Sequence, residues 1–126
     1  MYEITVEHTF SAAHAIRIAG AMEPLHGHNW LVRATITGRD LDDDGLLCDF
    51  HAIHDRLAAI CHRFHNSNLN TIAPFHELNP TAELVARHIA DELGKALDTN
   101  GRLRVASVSV GEAVGCVATF RPDACP

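Results

Sequence analysis

Two long stretches of strict alternation constrain this chain more than anything else in it. From about His26 to Gly38, Trp30, Val32, Ala34 and Ile36 alternate with Leu31, Arg33, Thr35 and Thr37. Over residues 2 to 13, Tyr2, Ile4, Val6, His8 and Phe10 alternate with Glu3, Thr5, Glu7 and Thr9. A period of two is that of a β-strand with one face covered and the other in solvent. Both stretches are therefore read as strands, with a loop through Gly20 to Pro24 between them.

The middle of the chain changes period. Phe50, Ile53, Leu57, Ile60 and Phe64 fall on one helical stripe, which predicts a helix over Phe50 to Phe64. After a loop from Asn66 to Asn79, Asn79 is expected as an N-cap with Pro80 at the first helical position and Glu83 in the first turn. That second helix would bury Leu84, Val85, Ile89 and Leu93, run to about Leu97, and stop at Asp98-Thr99-Asn100-Gly101. Two last strands are expected, Leu103 to Glu112 and Cys116 to Phe120. The order β, β, α, α, β, β makes an α+β architecture with antiparallel neighbours. A length of 126 residues suits one compact domain over 1–126, short enough to gain from self-association.

Composition removes several function classes. The formal net charge is -6, and the ten Lys and Arg are scattered along the sequence. A nucleic-acid surface would need them clustered against phosphates, so no nucleic-acid partner is expected. No apolar run is long enough to span a bilayer, and the N-terminus enters a strand without signal-peptide character. A cytoplasmic location with no membrane partner is the resulting expectation. Cys48, Cys61, Cys116 and Cys125 form no CxxC pair and are read as buried small hydrophobes. Asp42-Asp43-Asp44-Gly45 is read as a solvated turn, since it lacks the downstream glutamate of a calcium loop.

The unusual count is ten histidines. Histidine is the commonest metal-binding side chain and titrates near neutrality. In His26-Gly27-His28 the two imidazoles stand two apart on a strand and so project to one side. The intervening glycine leaves room for another backbone or a ligand. Antiparallel pairing of the first two strands can bring His14 opposite this pair. Three neutral histidines with an open fourth position make the arrangement of a catalytic zinc site. His51, His54 and His62 lie on or beside the polar face of the first helix and are read as solvated.

Phe10-Ser11-Ala12-Ala13-His14, His26-Gly27-His28-Asn29, Asp49-Phe50 before a helix, Asn79-Pro80-Thr81-x-Glu83 and Val108-x-Val110-x-Glu112 occur in order along nearly the whole chain. Together they resemble the 6-pyruvoyl-tetrahydropterin synthase and 6-carboxy-tetrahydropterin synthase family. The resemblance implies the tunnelling fold, a four-stranded antiparallel sheet with two helices on one face. It implies subunits joined into a β-barrel, as a homo-trimer or homo-hexamer. It also implies Zn²⁺ held by His14, His26 and His28, and a pterin-like small molecule whose amino group and ring N–H are read by Glu112. A carboxylate suits that edge because its two oxygens can accept in parallel.

The resemblance breaks where the family keeps its proton-transfer groups. Met22 stands where a cysteine base is usual, and His65-Asn66 stand where an Asp-His pair is usual. Ala113 replaces a common threonine beside Glu112. Two residues could restore a base. Glu23 gives Glu-x-x-His-Gly-His, which looks like the family subgroup that cleaves the side chain to leave 6-hydroxymethyl-dihydropterin. His65 is the other candidate. The expected function is a zinc-dependent lyase acting on 7,8-dihydroneopterin triphosphate or a related pterin. The alternative is a zinc- and pterin- or purine-binding homologue with lost or altered turnover.

Overall fold

The computed structural model describes residues 1–97 and 100–123. The expected helix stop at Asp98-Thr99 and the thiol of Cys125 lie outside the described residues. Strand β1 (Tyr2–His14) is followed by a small hairpin of β2 (Arg17–Ile18) and β3 (Ala21–Met22), then by β4 (His26–Gly38). Helix α1 (Phe50–His62) leads to a two-residue strand β5 (Ser67–Asn68) and a 3-10 turn at Leu69–Thr71. Helix α2 (Ala82–Ala96) precedes β6 (Arg104–Ala113) and β7 (Cys116–Phe120).

The two alternating stretches pair antiparallel along their full length, with Tyr2 opposite Gly38 and His14 opposite His26. Strand β6 lies on the other side of β4, and β7 closes that edge, both antiparallel. The sheet order is β5-β1-β4-β6-β7. It thus has five strands where the sequence predicted four. The extra strand, β5, runs parallel to β1 through Ala12–Ser67 and Ala13–Asn68.

Alternation determines which sheet face is buried. Trp30, Val32, Ala34 and Ile36 are fully buried, as are Phe10, Val108 and Val110. Their odd-numbered neighbours Glu7, Leu31 and Arg33 face solvent. Both helices cover the buried face, through Ile53, Leu57 and Cys61 of α1 and Val85, Ala86, Ile89 and Leu93 of α2. Each buried Val, Leu or Ile among them contributes roughly 1.5–3 kcal/mol of hydrophobic stabilisation.

Several local expectations are corrected. Asp49 caps α1 by accepting from His51 N, which leaves Phe50 on the solvent side of the first turn, 55% exposed. Cys61 takes the place on the stripe expected of Ile60, and Phe64 is buried beyond the helix end. The cap of α2 is Thr81, whose hydroxyl accepts from Leu84 N at 3.1 Å. Leu84 itself is only partly buried. Cys61 is buried as expected, with its thiol pushed up to about 12 by burial, but Cys116 is exposed. The loop expected through Gly20–Pro24 contains β3, made possible by left-handed backbone at Ala19 and Gly20.

Asn79 does not cap α2. Its side chain brackets Arg17 instead, accepting from Arg17 N at 2.8 Å and donating to Arg17 O at 3.0 Å. Asn70 does the same for Ala15, with both bonds at 2.8 Å. Two side-chain amides thus hold the chain where it leaves β1, directly after His14.

Candidate metal centre and the carboxylates beside it

The site grows out of the strand period. His26, His28, Trp30 and Val32 are two apart on β4, so the two histidines continue the core face beyond its last tryptophan. His14, at the end of β1, is opposite His26. Val108, Val110 and Glu112 repeat the same spacing on β6. Four polar side chains therefore arrive at one end of the apolar face.

The three imidazoles meet there. Their centroids lie 4.8 Å (His14–His26), 5.0 Å (His14–His28) and 4.7 Å (His26–His28) apart. One nitrogen from each lies within 4.8 Å of the others, so the set could hold a metal ion. Trp30 forms the floor, edge-on to His14 at 4.8 Å and to His28 at 5.6 Å. Its indole N–H donates to Ala12 O at 3.1 Å, and Phe10 stacks on it at 5.8 Å.

Hydrogen bonding sets the tautomers. His14 Nδ1 lies 2.8 Å from Pro80 O, and His26 Nδ1 lies 2.8 Å from Pro24 O. A carbonyl can only accept, so each Nδ1 carries the proton and each Nε2 is left as a lone pair. The Nε2 atoms of His14 and His28 are buried without a hydrogen-bond partner. Burial holds the pKa of His28 below the usual histidine range, although the Glu112 carboxylate opposes this.

Two carboxylates flank the rings. Glu112 Oε1 is 3.6 Å from His14 Nε2, and its Oε2 is 3.9 Å from His28 Nε2. Glu23 Oε1 is 3.6 Å from His26 Nε2 and accepts from Ile16 N at 3.2 Å. Contacts of 3.6–3.9 Å are too long for hydrogen bonds. The bare Nε2 atoms of His14 and His26 thus lie beside carboxylate oxygens. Three imidazoles converging beside two carboxylates suit a divalent transition metal. The residues fit a metal ion.

The remaining sequence candidates fall at the margin. His65 Nδ1 accepts from Ser11 N at 3.1 Å, which puts the proton of its neutral form on Nε2. Asn66, in left-handed backbone at φ 57°, donates its N–H to Ser11 O. Met22 lies on β3 and is 56% exposed. A groove of about 500 Å³ runs past His28 along Ser11, Asn29, Asn66 and Ser67. Gly27 also lines it; a Cβ there would meet only Ala12 O at 3.9 Å, so the glycine keeps the groove open rather than admitting a close backbone. A second groove of about 510 Å³ holds Glu112, with Thr81, Glu83 and Cys116 on its wall. Glu83 and Cys116 were not singled out as site residues from the sequence, because each reaches the groove only through the approach of α2 to β7.

Comparison with known proteins agrees with this geometry. The model of the 6-pyruvoyl tetrahydropterin synthase family matches residues 3–123. This chain belongs to that family. Within the family it is 32% identical over 128 residues to 6-carboxy-5,6,7,8-tetrahydropterin synthase of Bacillus subtilis, covering 96% of this chain and 86% of the relative. It is 29% identical over 107 residues to the dihydroneopterin monophosphate aldolase of Pyrococcus furiosus, covering 85% and 88%. A solved 6-pyruvoyltetrahydropterin synthase of Plasmodium vivax, a variant with a catalytic glutamate replaced by alanine, superimposes with a TM-score of 0.80. It shares 20% identity, with 98% of both chains covered, and shows the same tunnelling fold.

Proposed function

We propose that this chain is a zinc-dependent lyase that cleaves the side chain of a 7,8-dihydroneopterin phosphate. One observation carries the reading: three converging imidazoles stand between two carboxylates, Glu23 on one side and Glu112 on the other. His14, His26 and His28 would hold the ion, which when bound supplies Lewis-acid polarisation of the side-chain hydroxyls. Glu112 accepts hydrogen bonds from the amino group and ring N–H of the pterin.

Glu23 is the base. It takes the proton of the hydroxyl carried by the outer carbon of the C–C bond to be broken. That oxygen becomes an aldehyde, the C–C bond breaks, and its electron pair passes into the conjugated pterin ring. Protonation of the ring-attached carbon then leaves a 6-hydroxymethyl-dihydropterin. This cleavage needs one well-placed base. Moving protons between side-chain carbons needs more, and Met22, His65 and Asn66 supply neither the usual cysteine nor the usual Asp-His pair. His65 is less suited to be the base because its Nδ1 lone pair is already used by Ser11 N. The P. furiosus relative is named an aldolase, which supports an aldol-type reaction.

A second reading has its own support. The histidine set and Glu112 are present but Met22, His65 and Asn66 replace the usual proton-transfer groups, which favours a zinc- and pterin- or purine-binding homologue with lost or altered turnover. We also infer a cytoplasmic homo-trimer or homo-hexamer, built from this chain as one domain. Ile18, Met22, Leu25, Val114 and Val117 are exposed apolar groups on the hairpins and loop at the site end, and a neighbouring copy would cover them. No helix among the described residues is long and apolar enough to cross a membrane.

The test is to incubate zinc-loaded protein with dihydroneopterin mono- and triphosphate and identify products by mass spectrometry. Hydroxymethyl-dihydropterin from wild type, lost in Glu23→Gln while zinc is retained, supports the lyase. Binding with no product supports the binding homologue. A pyruvoyl or carboxy product would overturn the assignment of aldol cleavage.

A further inference from the structure

The end of the sheet opposite the histidines carries a second constellation. β4 ends at Gly38 and β6 begins at Arg104 there, whereas His26 starts β4 and Glu112 nears the end of β6. Twelve residue steps of β4 separate His26 from Gly38, on the order of 35–40 Å. A groove of about 620 Å³ lies at that far end.

Its lining is basic in a chain of net charge -6. Arg39, Arg102, Arg104 and Arg121 line it, four of the ten Lys and Arg, facing only Glu3 and Asp40. These arginines come from three separate segments, with Arg102 and Arg104 two apart on one of them, so the cluster exists only in the folded chain. Arg102 is fixed by donating to Asp40 O at 3.3 Å and to Leu47 O at 2.8 Å. The guanidiniums of Arg39, Arg104 and Arg121 make no ion pair or hydrogen bond with any described residue. Three unpaired guanidiniums around one concavity repel each other, and a chain folding for stability alone gains nothing by collecting them. Arginine presents paired donors that match phosphate oxygens, and a concave site focuses the field of its charges.

We propose that this groove is a binding site for a small polyvalent phosphate, separate from the metal centre. Arg104 and Arg121 form the forks, Arg39 closes the rim, and the fixed Arg102 holds the wall between them. The groove is large enough for a pyrophosphate or the phosphate chain of a nucleotide.

Inorganic pyrophosphate is the probe, titrated calorimetrically into the full chain at low ionic strength, with citrate titrated in parallel. One saturable site per chain is expected, weakened at least tenfold in the double variant Arg104→Gln/Arg121→Gln. The charge-matched control Arg33→Gln, on the solvent face of β4, should change it less than twofold. His26→Ala and Glu112→Gln should leave it unchanged. Circular dichroism of each variant separates loss of the site from loss of the fold, and the single variant Arg39→Gln gives the same reading if the double variant does not fold. Absence of saturable binding to wild type overturns the proposal, as does pyrophosphate binding that disappears in His26→Ala. Citrate binding as tightly as pyrophosphate would overturn the assignment to phosphate.

Discussion

Replacing Trp30 with phenylalanine tests whether the floor of the metal centre supports the ligands or only fills the core. Trp30 is fully buried, donates to Ala12 O, and touches both His14 and His28. Trp30→Phe removes one buried hydrogen bond, which costs about 1–1.5 kcal/mol. It also leaves a space of roughly 40 Å³, adding about 1 kcal/mol at the usual cost per unit of cavity volume. The expected loss is therefore about 2–2.5 kcal/mol, measured by urea unfolding of metal-free protein. Circular dichroism is the readout, because the variant lacks the only tryptophan in the chain. With the floor recessed, two of three imidazoles lose their packing partner, and zinc affinity by chelator competition should fall about tenfold, at the low end for changes just outside a ligand set. A variant that loses the stability but keeps its zinc affinity within twofold would refute the idea that Trp30 orients the ligands. Unchanged stability would refute the buried hydrogen bond.

Other outcomes follow from the same geometry. Thr81→Ala should destabilise the fold by about 1 kcal/mol in urea unfolding, because it removes the side-chain cap of α2. His88 rests against Phe64 and Phe75, and burial lowers its pKa, with smaller opposing effects from Glu92 and Asp91 and reinforcing ones from Arg63 and Lys95. Below pH 6.5 the unfolded chain therefore takes up a proton that the folded chain resists. Its contribution to stability is full above about pH 6.5 and declines as the pH falls toward the folded value. His88→Gln should flatten that acid limb of a stability-against-pH curve; an unchanged slope would contradict the assignment.

Much of this was legible in the sequence, for a definite reason. A period of two identified β1 and β4, and the same period put His26 with His28 and Glu112 with Val110. The three histidines and Glu112 thus extend core-face alternation, and the family resemblance adds the roles expected of them. What the sequence hid depends on partners far along the chain. β5 has two residues and no period, and exists only through pairing with Ala12 and Ala13. Asn79 and Thr81 are both able to cap a helix, and the choice falls on Thr81 because Asn79 is engaged by Arg17, 62 residues away. The first-helix stripe predicted through Ile60 is centred on Cys61 instead, which continues the Ile53–Leu57 spacing into the core while Ile60 packs at its edge. The arginines of the far groove come from three segments and appear in the sequence only as scattered charge.

The account rests most directly on metal content. Protein reconstituted with zinc and freed of excess should carry one equivalent per chain by elemental analysis, falling below a tenth in His26→Ala and His28→Ala variants that remain folded. A wild-type chain with no stoichiometric metal, or variants that keep it, would contradict the convergence of these three imidazoles on one ion.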